Sequence, residues 1–361
     1  MNPILIESKS LEDFAKEVFL KIGVPLKDAQ LAASVLIQAD LRGIDSHGMA
    51  RLSGYIRLWE KNRINPNPQI RIVYETMSTA TMDGDLGLGL VIAPKAMDLA
   101  IEKAEHCGSG WVSVQNSNHF GIAAFHAMKA LPKDMIGIAM TNASPLVAPA
   151  LSLERMLGTN PICYAFPAGE ESPVIVDMAT SAAANGKLEL AQYQKQEIPF
   201  GWVQDPTGKP SNNPNELKNG GSLLPLGSDR DHGSHKGYGL GSIVDILSAV
   251  LSGANYGPWV PPFVSFLDPD PNPVGKGLGH FLGALRIDGF RPAEEFKMHM
   301  DQWIRRFKQS KPMVGYSRVI IPGEPELEME KERIIKGIPM METVYQDLLD
   351  LSRKMEISPR F

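Results

Sequence analysis

Asp45, Ser46, His47 and Arg51 fall within seven consecutive residues of the segment RGIDSHGMARL, residues 42 to 52. An imidazole exchanges a proton near neutral pH, and a neighbouring hydroxyl or carboxylate fixes its tautomer. A guanidinium can hold a carboxylate through a two-pronged hydrogen bond. Together these are the groups needed to protonate the oxygen of a bound keto acid. A polar turn capping the adjoining helices would use the same residue types, so spacing alone leaves both readings open.

Three further segments carry similar potential. In NSNHFGIAAFH, residues 116 to 126, Asn116, Ser117, Asn118 and His119 follow a strand pattern and precede a small-residue helix. Free N–H groups there could face a phosphate, although simple capping by Asn118 is the alternative. LGTNPICYAFP and VIVDMATSAAANGK read as strands flanked by polar and small residues: Thr159 and Asn160, then Asp177, Thr180, Ser181, Asn185 and Gly186. Such residues suit a cleft at strand ends, and equally suit turns. GSHKGYGLGS begins like a dinucleotide fingerprint, but Ser242 stands at the third glycine position and no strand precedes it, which excludes a Rossmann reading. Lys236 beside Gly237 at a helix start could hold a phosphate, or the glycines could let the helix entry pack closely.

The chain lacks a His-Glu-x-x-His run, a Gly-x-Ser-x-Gly elbow and a phosphate loop ending in Gly-Lys-Ser/Thr. His232 and His235 have no clustered Cys or acidic partners, so no metal site is expected.

The elements that must position these residues follow from periodicity. Ser10 is placed to cap a first helix with Leu11, Phe14, Val18 and Ile22 on one face, and KDAQLAASVLIQADLRG forms a second helix ending at Gly43. His47 then lies just beyond a helix terminus, and helical spacing resumes in MARLSGYIRLW. From about residue 71 come strand-like pieces, IRIVYE, TATMDG, WVSVQN, IGIAMTN, ICYAFP and VIVDMA, with the helix APKAMDLAIEKAEHC between the second and third. Residues 199 to 233 are rich in turn formers without periodic apolar pattern, the mark of a functional or packed excursion. A buried helix, HKGYGLGSIVDILSAVLSGA, follows. After it come a helix from Pro292 with Phe296, Met300, Trp303 and Phe307 on one face, a last strand SRVIIPGE and a terminal helix over 338 to 355. The expectation is an α/β fold with residues 1–75 and 292–361 forming a helical domain and 76–291 a central sheet domain.

Composition bounds the function classes. At 361 residues, with 43% hydrophobic and 21% charged residues, the chain can bury a large core. A net charge of -5 without a basic run gives neither nucleic acid nor an anionic membrane a footprint. The N-terminal stretch lacks an apolar signal core, and the longest apolar helical stretch is interrupted by Asp245. Cys107 and Cys163, with no metal-ligand spacing around them, read as reduced and buried, so a cytoplasmic protein is expected.

RGIDSHGMARL, NSNHFG, LGTNPICYAFP, VDMATS, SHKGYGL and IPGE occur in an order and at spacings that resemble the malate/L-lactate dehydrogenase family, which is unrelated to the Rossmann-type enzymes of similar name. The resemblance covers almost the whole chain. It implies a large, mostly antiparallel sheet with helices, N- and C-terminal helical parts packed together, and a homodimer. It also implies a nicotinamide cofactor and hydride exchange at C2 of a 2-hydroxy or 2-keto acid. By the resemblance His47 is the proton donor and acceptor, Ser46 and Asp45 orient it, Arg51 clamps the substrate carboxylate, and His119 matches a second family histidine that can take the acid/base role.

Cofactor contacts carry over to His119, Phe120, Gly121, Ile122 and Ala123, to Asp177, Met178 and Ala179, to Lys236 and Gly237, and to Pro322, Gly323 and Glu324; Thr159 falls beside the substrate. Imine-reducing members have Arg-Gly where this chain has Asn185 and Gly186, and the stretch from GWVQDPTGKPSNNP to GGSLLPLG looks more like members named malate dehydrogenases. Malate with NAD is therefore the expected pairing, with NADP open. Lactate, ureidoglycolate, sulfolactate or a cyclic imine are alternative substrates, and a non-catalytic metabolite-binding dimer is the alternative from another class.

Overall fold

The computed structural model describes residues 4–359 and 361; residues 1–3, where the reading of the N-terminal stretch begins, lie outside the described residues. The chain opens with strand β1 (Ile4–Ile6) and helix α1 (Ser8–Lys21), whose Leu11, Phe14, Ala15, Val18 and Phe19 are buried at the spacing of one helical face. Ser10 is not the cap: it lies inside the first turn, and Glu7, extended as it leaves β1, takes the cap position. Helix α2 (Leu26–Leu41) ends ahead of Gly43 as expected, and two 3₁₀ turns, Asp45–His47 and Met49–Arg51, lead into α3 (Leu52–Glu60).

Strands β2 (Arg71–Glu75) and β3 (Thr79–Asp83) start the main sheet, and α4 (Gly89–Cys107) crosses over to β4 (Ser109–Ser117). Then follow α5 (Ala123–Met128), β5 (Met135–Thr141), β6 (Ile162–Phe166), β7 (Val174–Met178) and α6 (Asn185–Gln194). The Pro- and Gly-rich excursion is not structureless. It folds as three short strands, β8 (Val203–Gln204), β9 (Pro210–Ser211) and β10 (Ser222–Leu223), packed with Leu146, Leu157, Leu188 and Ile198. Helix α7 (Ser234–Asp245) runs on through a π-turn, Ile246–Val250. The chain closes with β11 (Leu278–Arg286), α8 (Ala293–Lys308), α9 (Glu324–Lys336), β12 (Ile338–Met340) and α10 (Glu342–Met355).

The seven-stranded sheet has the order β2-β3-β4-β11-β5-β6-β7. Only the β3–β4 pair is parallel, and α4 is its crossover. This is a mostly antiparallel sheet, unlike a Rossmann domain. Helices α4 and α5 cover one face through Ala93, Ala96, Met97, Ala100 and Ala124; Val244 of α7 packs on the other with Ile138, Met140 and Ile162. Helices α1, α2, α3 and α10 form a separate core with the β1–β12 pair.

Several elements differ from expectation. The central strand β11 escaped notice because its glycines depress strand character; at Gly279 a Cβ would lie 2.0 Å from the Ser248 carbonyl oxygen, so the close approach of the π-turn requires glycine. The segment SRVIIPGE is not a strand: the Pro322 carbonyl accepts one bond from the Ile175 N–H, and the turn at Gly323 starts α9. Residues 338–340 pair with β1, so the terminal helix begins only at Glu342. Helix α7 and the π-turn that continues it are buried on one side only, leaving Ile243, Ile246, Val250 and the following Leu251 exposed on the other. Both thiols are free, with Cys163 buried and Cys107 only partly so. Among the described residues no helix is long and apolar enough to cross a membrane.

Candidate active site

The turn carrying His47 is shaped by a buried carboxylate. Asp40, in the last turn of α2, accepts a hydrogen bond from the Met49 N–H at 2.8 Å and draws the chain back over the helix end. Gly48 sits at the closest approach, where a Cβ would come 2.1 Å from the Asp40 carboxylate. Burial holds the Asp40 carboxyl well above the usual carboxylate range. Arg333 of α9 donates to the Asp40 carbonyl and to the Asp45 carboxylate. Asp45 is thus committed to Arg333, and the group at His47 Nδ1 is the Ser46 hydroxyl, 2.9 Å away.

His47 stacks on His119, with ring centroids 5.6 Å apart and planes 25° from parallel. Burial, and then the Arg51 charge, lower its pKa to about 4, so the ring is neutral at pH 7. His119 lies behind it, its Nδ1 2.6 Å from the hydroxyl of the fully buried Tyr55. The Gly121 N–H also points at that nitrogen, at 3.4 Å, so Nδ1 holds the lone pair and Nε2 the proton. Burial, then His47 and Arg51, push the His119 pKa well below the usual histidine range. Arg51 donates through Nε to the Ser46 carbonyl and through Nη2 to Glu189 of α6 at 3.0 Å. Asn185 donates to the other Glu189 oxygen at 2.8 Å.

His47 and Arg51 open on a cleft of about 660 Å³ walled by Asp45, Ser46, His47, Arg51, Thr159 and Gly186, and by Gly121 to Ala123 and Asp177 to Ala179, while the expected site residues His119 and Asn185 lie outside that lining. At Gly186 a Cβ would lie 2.6 Å from the Ser46 Cβ, so glycine lets α6 close against the His47 turn. A second chamber of about 340 Å³, lined by Arg42, Pro322, Gly323 and Glu326, shares Ile44, Asp177 and Met178 with the first. Asp177 accepts the Ala124 N–H at 2.9 Å, and burial raises its carboxyl to about 6. The two chambers form one elongated trough of the size organic ligands occupy.

Not every expected residue meets this trough. Phe120 is fully buried against His280 and His126. Glu324 accepts the Ile321 N–H and pairs with Lys308. Lys236 and Gly237 lie on α7 outside both chambers, where Gly237 packs on the Leu226 backbone. Conversely, Tyr55, Lys187, Glu189 and Arg333 belong to the site or its support without having been singled out. For Tyr55 a signal existed, because His47, Arg51 and Tyr55 recur every four residues.

The family model described as malate/L-lactate dehydrogenase matches residues 6–349. The chain belongs to this family. Like other malate/L-lactate dehydrogenase family chains it is a 2-hydroxy acid dehydrogenase, an enzyme class that works with a nicotinamide cofactor. It is 42% identical over 357 residues to the malate dehydrogenase of Pyrococcus abyssi, covering 99% of this chain and 96% of that one. It is 39% identical to the L-sulfolactate dehydrogenase of Methanocaldococcus jannaschii, covering 95% and 94% of the two chains. Among solved structures, malate dehydrogenase from Entamoeba histolytica superposes with a TM-score of 0.92 at 33% identity, covering 99% of this chain and all of that one (100%).

Proposed function

We propose that this family member is an NAD-dependent malate dehydrogenase in which His47 is the acid/base and Arg51 the clamp for the C1 carboxylate. The observation that carries the reading is that His47 and Arg51 open onto one cleft, and that a second chamber adjoins it across Ile44, Asp177 and Met178. The bound nicotinamide supplies or accepts the hydrogen and electron pair exchanged at C2. Gly121, Ile122, Ala123, Asp177, Met178, Ala179, Pro322 and Gly323, which line the trough, would hold it.

The residues divide the remaining work. Ser46 at Nδ1 leaves Nε2 of His47 free to exchange a proton with the substrate oxygen. Burial and Arg51 keep the ring neutral, ready to act as base in oxidising a hydroxy acid. In the reverse direction, negative charge building on the keto oxygen beside the ring raises its proton affinity. Imidazolium formation then coincides with growing charge on the carbonyl oxygen, which it stabilises and protonates. His119 is the weaker candidate, since Tyr55 and Gly121 occupy its lone pair. It serves as a neutral, fixed surface behind His47.

Glu326 on the wall of the second chamber supports NAD over NADP, because a carboxylate there would accept bonds from a ribose diol and would repel a 2′-phosphate. Arg42, on the same wall, is committed to Glu330 at 3.1 Å. The names of the relatives, malate and sulfolactate dehydrogenases, support a substrate with a second acidic group. The exposed apolar face of α7 and its π-turn, with Ile243, Ile246 and the following Leu251, supports a homodimer.

A panel of 2-keto acids offered with NADH and NADPH, followed at about 340 nm, tests the assignment. Oxaloacetate with NADH should give the highest kcat/KM. Greater turnover of pyruvate, a ureidoglycolate-type substrate or a cyclic imine would overturn the malate reading.

A further inference from the structure

Two cations line the first chamber, and they stand in different states. Arg51 is already neutralised by Glu189, which Asn185 holds in place. Lys187 lines the same cleft one residue beyond Gly186, yet among the described residues no carboxylate lies within salt-bridge distance of it. Its Nζ rests 5.4 Å above the centre of the Trp202 ring. A cation–π contact restrains the long side chain without cancelling its charge. The carboxylates on this cleft are occupied elsewhere: Asp45 by Arg333, Asp177 by the Ala124 N–H, Asp347 by the Ser53 hydroxyl.

This distribution bears on selectivity. A substrate carboxylate arriving at Arg51 replaces one carboxylate, that of Glu189, by another, so the exchange alone gives little preference for any 2-keto acid. Preference must come from a charge still available, and that charge is Lys187. We propose that Lys187 receives the second acidic group of a dianionic 2-keto acid, a carboxylate or a sulfonate, and so selects such substrates over those ending in a methyl group. The proposal rests on the reading of this cleft as the 2-hydroxy acid site. Gly186 makes it possible: the missing side chain brings the start of α6, the helix that carries Lys187, against Ser46 and Arg51 on the same cleft. Trp202, from the Pro- and Gly-rich excursion, then has a role as the platform that holds the lysine.

The test compares oxaloacetate, 3-sulfopyruvate and pyruvate with the full chain and NADH. Lys187→Gln should lower kcat/KM for both dianions about thirtyfold, mainly through KM, and change pyruvate by less than about twofold. Lys187→Arg should restore most of the loss. A fall for oxaloacetate alone would narrow the recognised group to a carboxylate, and a fall for sulfopyruvate alone to a sulfonate. Equal losses on all three substrates, or no loss on any, would overturn the proposal. Calorimetry separates this failure from that of the underlying reading, because it needs no turnover: tartronate should lose affinity in Lys187→Gln while glycolate does not. If the unaltered chain reduced none of the three, the dehydrogenase reading of the cleft would fail; unchanged tartronate affinity would sink the role of Lys187.

Discussion

His47→Ala should lower kcat for oxaloacetate reduction by about a hundredfold to ten-thousandfold, the range by which a positioned general acid accelerates such a step. NADH affinity, read by fluorescence titration, should stay within about twofold of the unaltered chain, because the cofactor rests on other walls of the trough. The variant removes the proton donor at the carbonyl oxygen while Ser46, Arg51 and the stacked His119 remain. The same ring should govern the acid limb of malate oxidation. Its neutral form is the base, and burial with the Arg51 charge lowers its pKa from 6.5 to about 4 in the free enzyme. The kcat/KM for malate should therefore hold as pH falls through 6.5 and decline only on approaching about 4. Full activity in His47→Ala, or an acid limb at the ordinary histidine value, would contradict the assignment.

Arg51→Lys should raise KM for oxaloacetate by about ten- to a hundredfold with kcat changed by less than about fivefold. Arg51 uses Nε to grip the Ser46 carbonyl and Nη2 to hold Glu189, so its fork is set in place before substrate arrives. An ammonium keeps the charge but offers no planar pair of donors, and it releases the Ser46 carbonyl that braces the His47 turn. Loss therefore falls mainly on binding. Steady-state kinetics that returned an unchanged KM would place the carboxylate elsewhere in the cleft.

How much of this was legible in the sequence depended on distance along the chain and on the kind of force involved. The His47 turn could be read because its parts are local: one short segment after a helix whose apolar spacing is clear. The strands of the main sheet showed as apolar runs, except β11, whose glycines serve close packing. Helix α9 was missed because charge rather than apolar periodicity anchors it, through Arg333 to Asp45 and through Glu330 to Arg42. Tyr55 was not singled out, since its hydroxyl finds its partners at His119, 64 residues further along the chain. Helix α6 has just Leu188 and Ala191 buried, too little pattern to betray the helix that carries Lys187 and Glu189 to the cleft. What local pattern does not record is the partner distant in sequence, polar for α9 and Tyr55, and a close-packed backbone for β11.

The most direct test of the account is a crystal structure of the chain with NAD and tartronate, an inert stand-in for malate. The account predicts the tartronate hydroxyl within hydrogen-bonding distance of His47 Nε2 and one carboxylate on the Arg51 guanidinium, with the nicotinamide against the same carbon. A tartronate held away from His47, with that ring facing only protein or solvent, would contradict it.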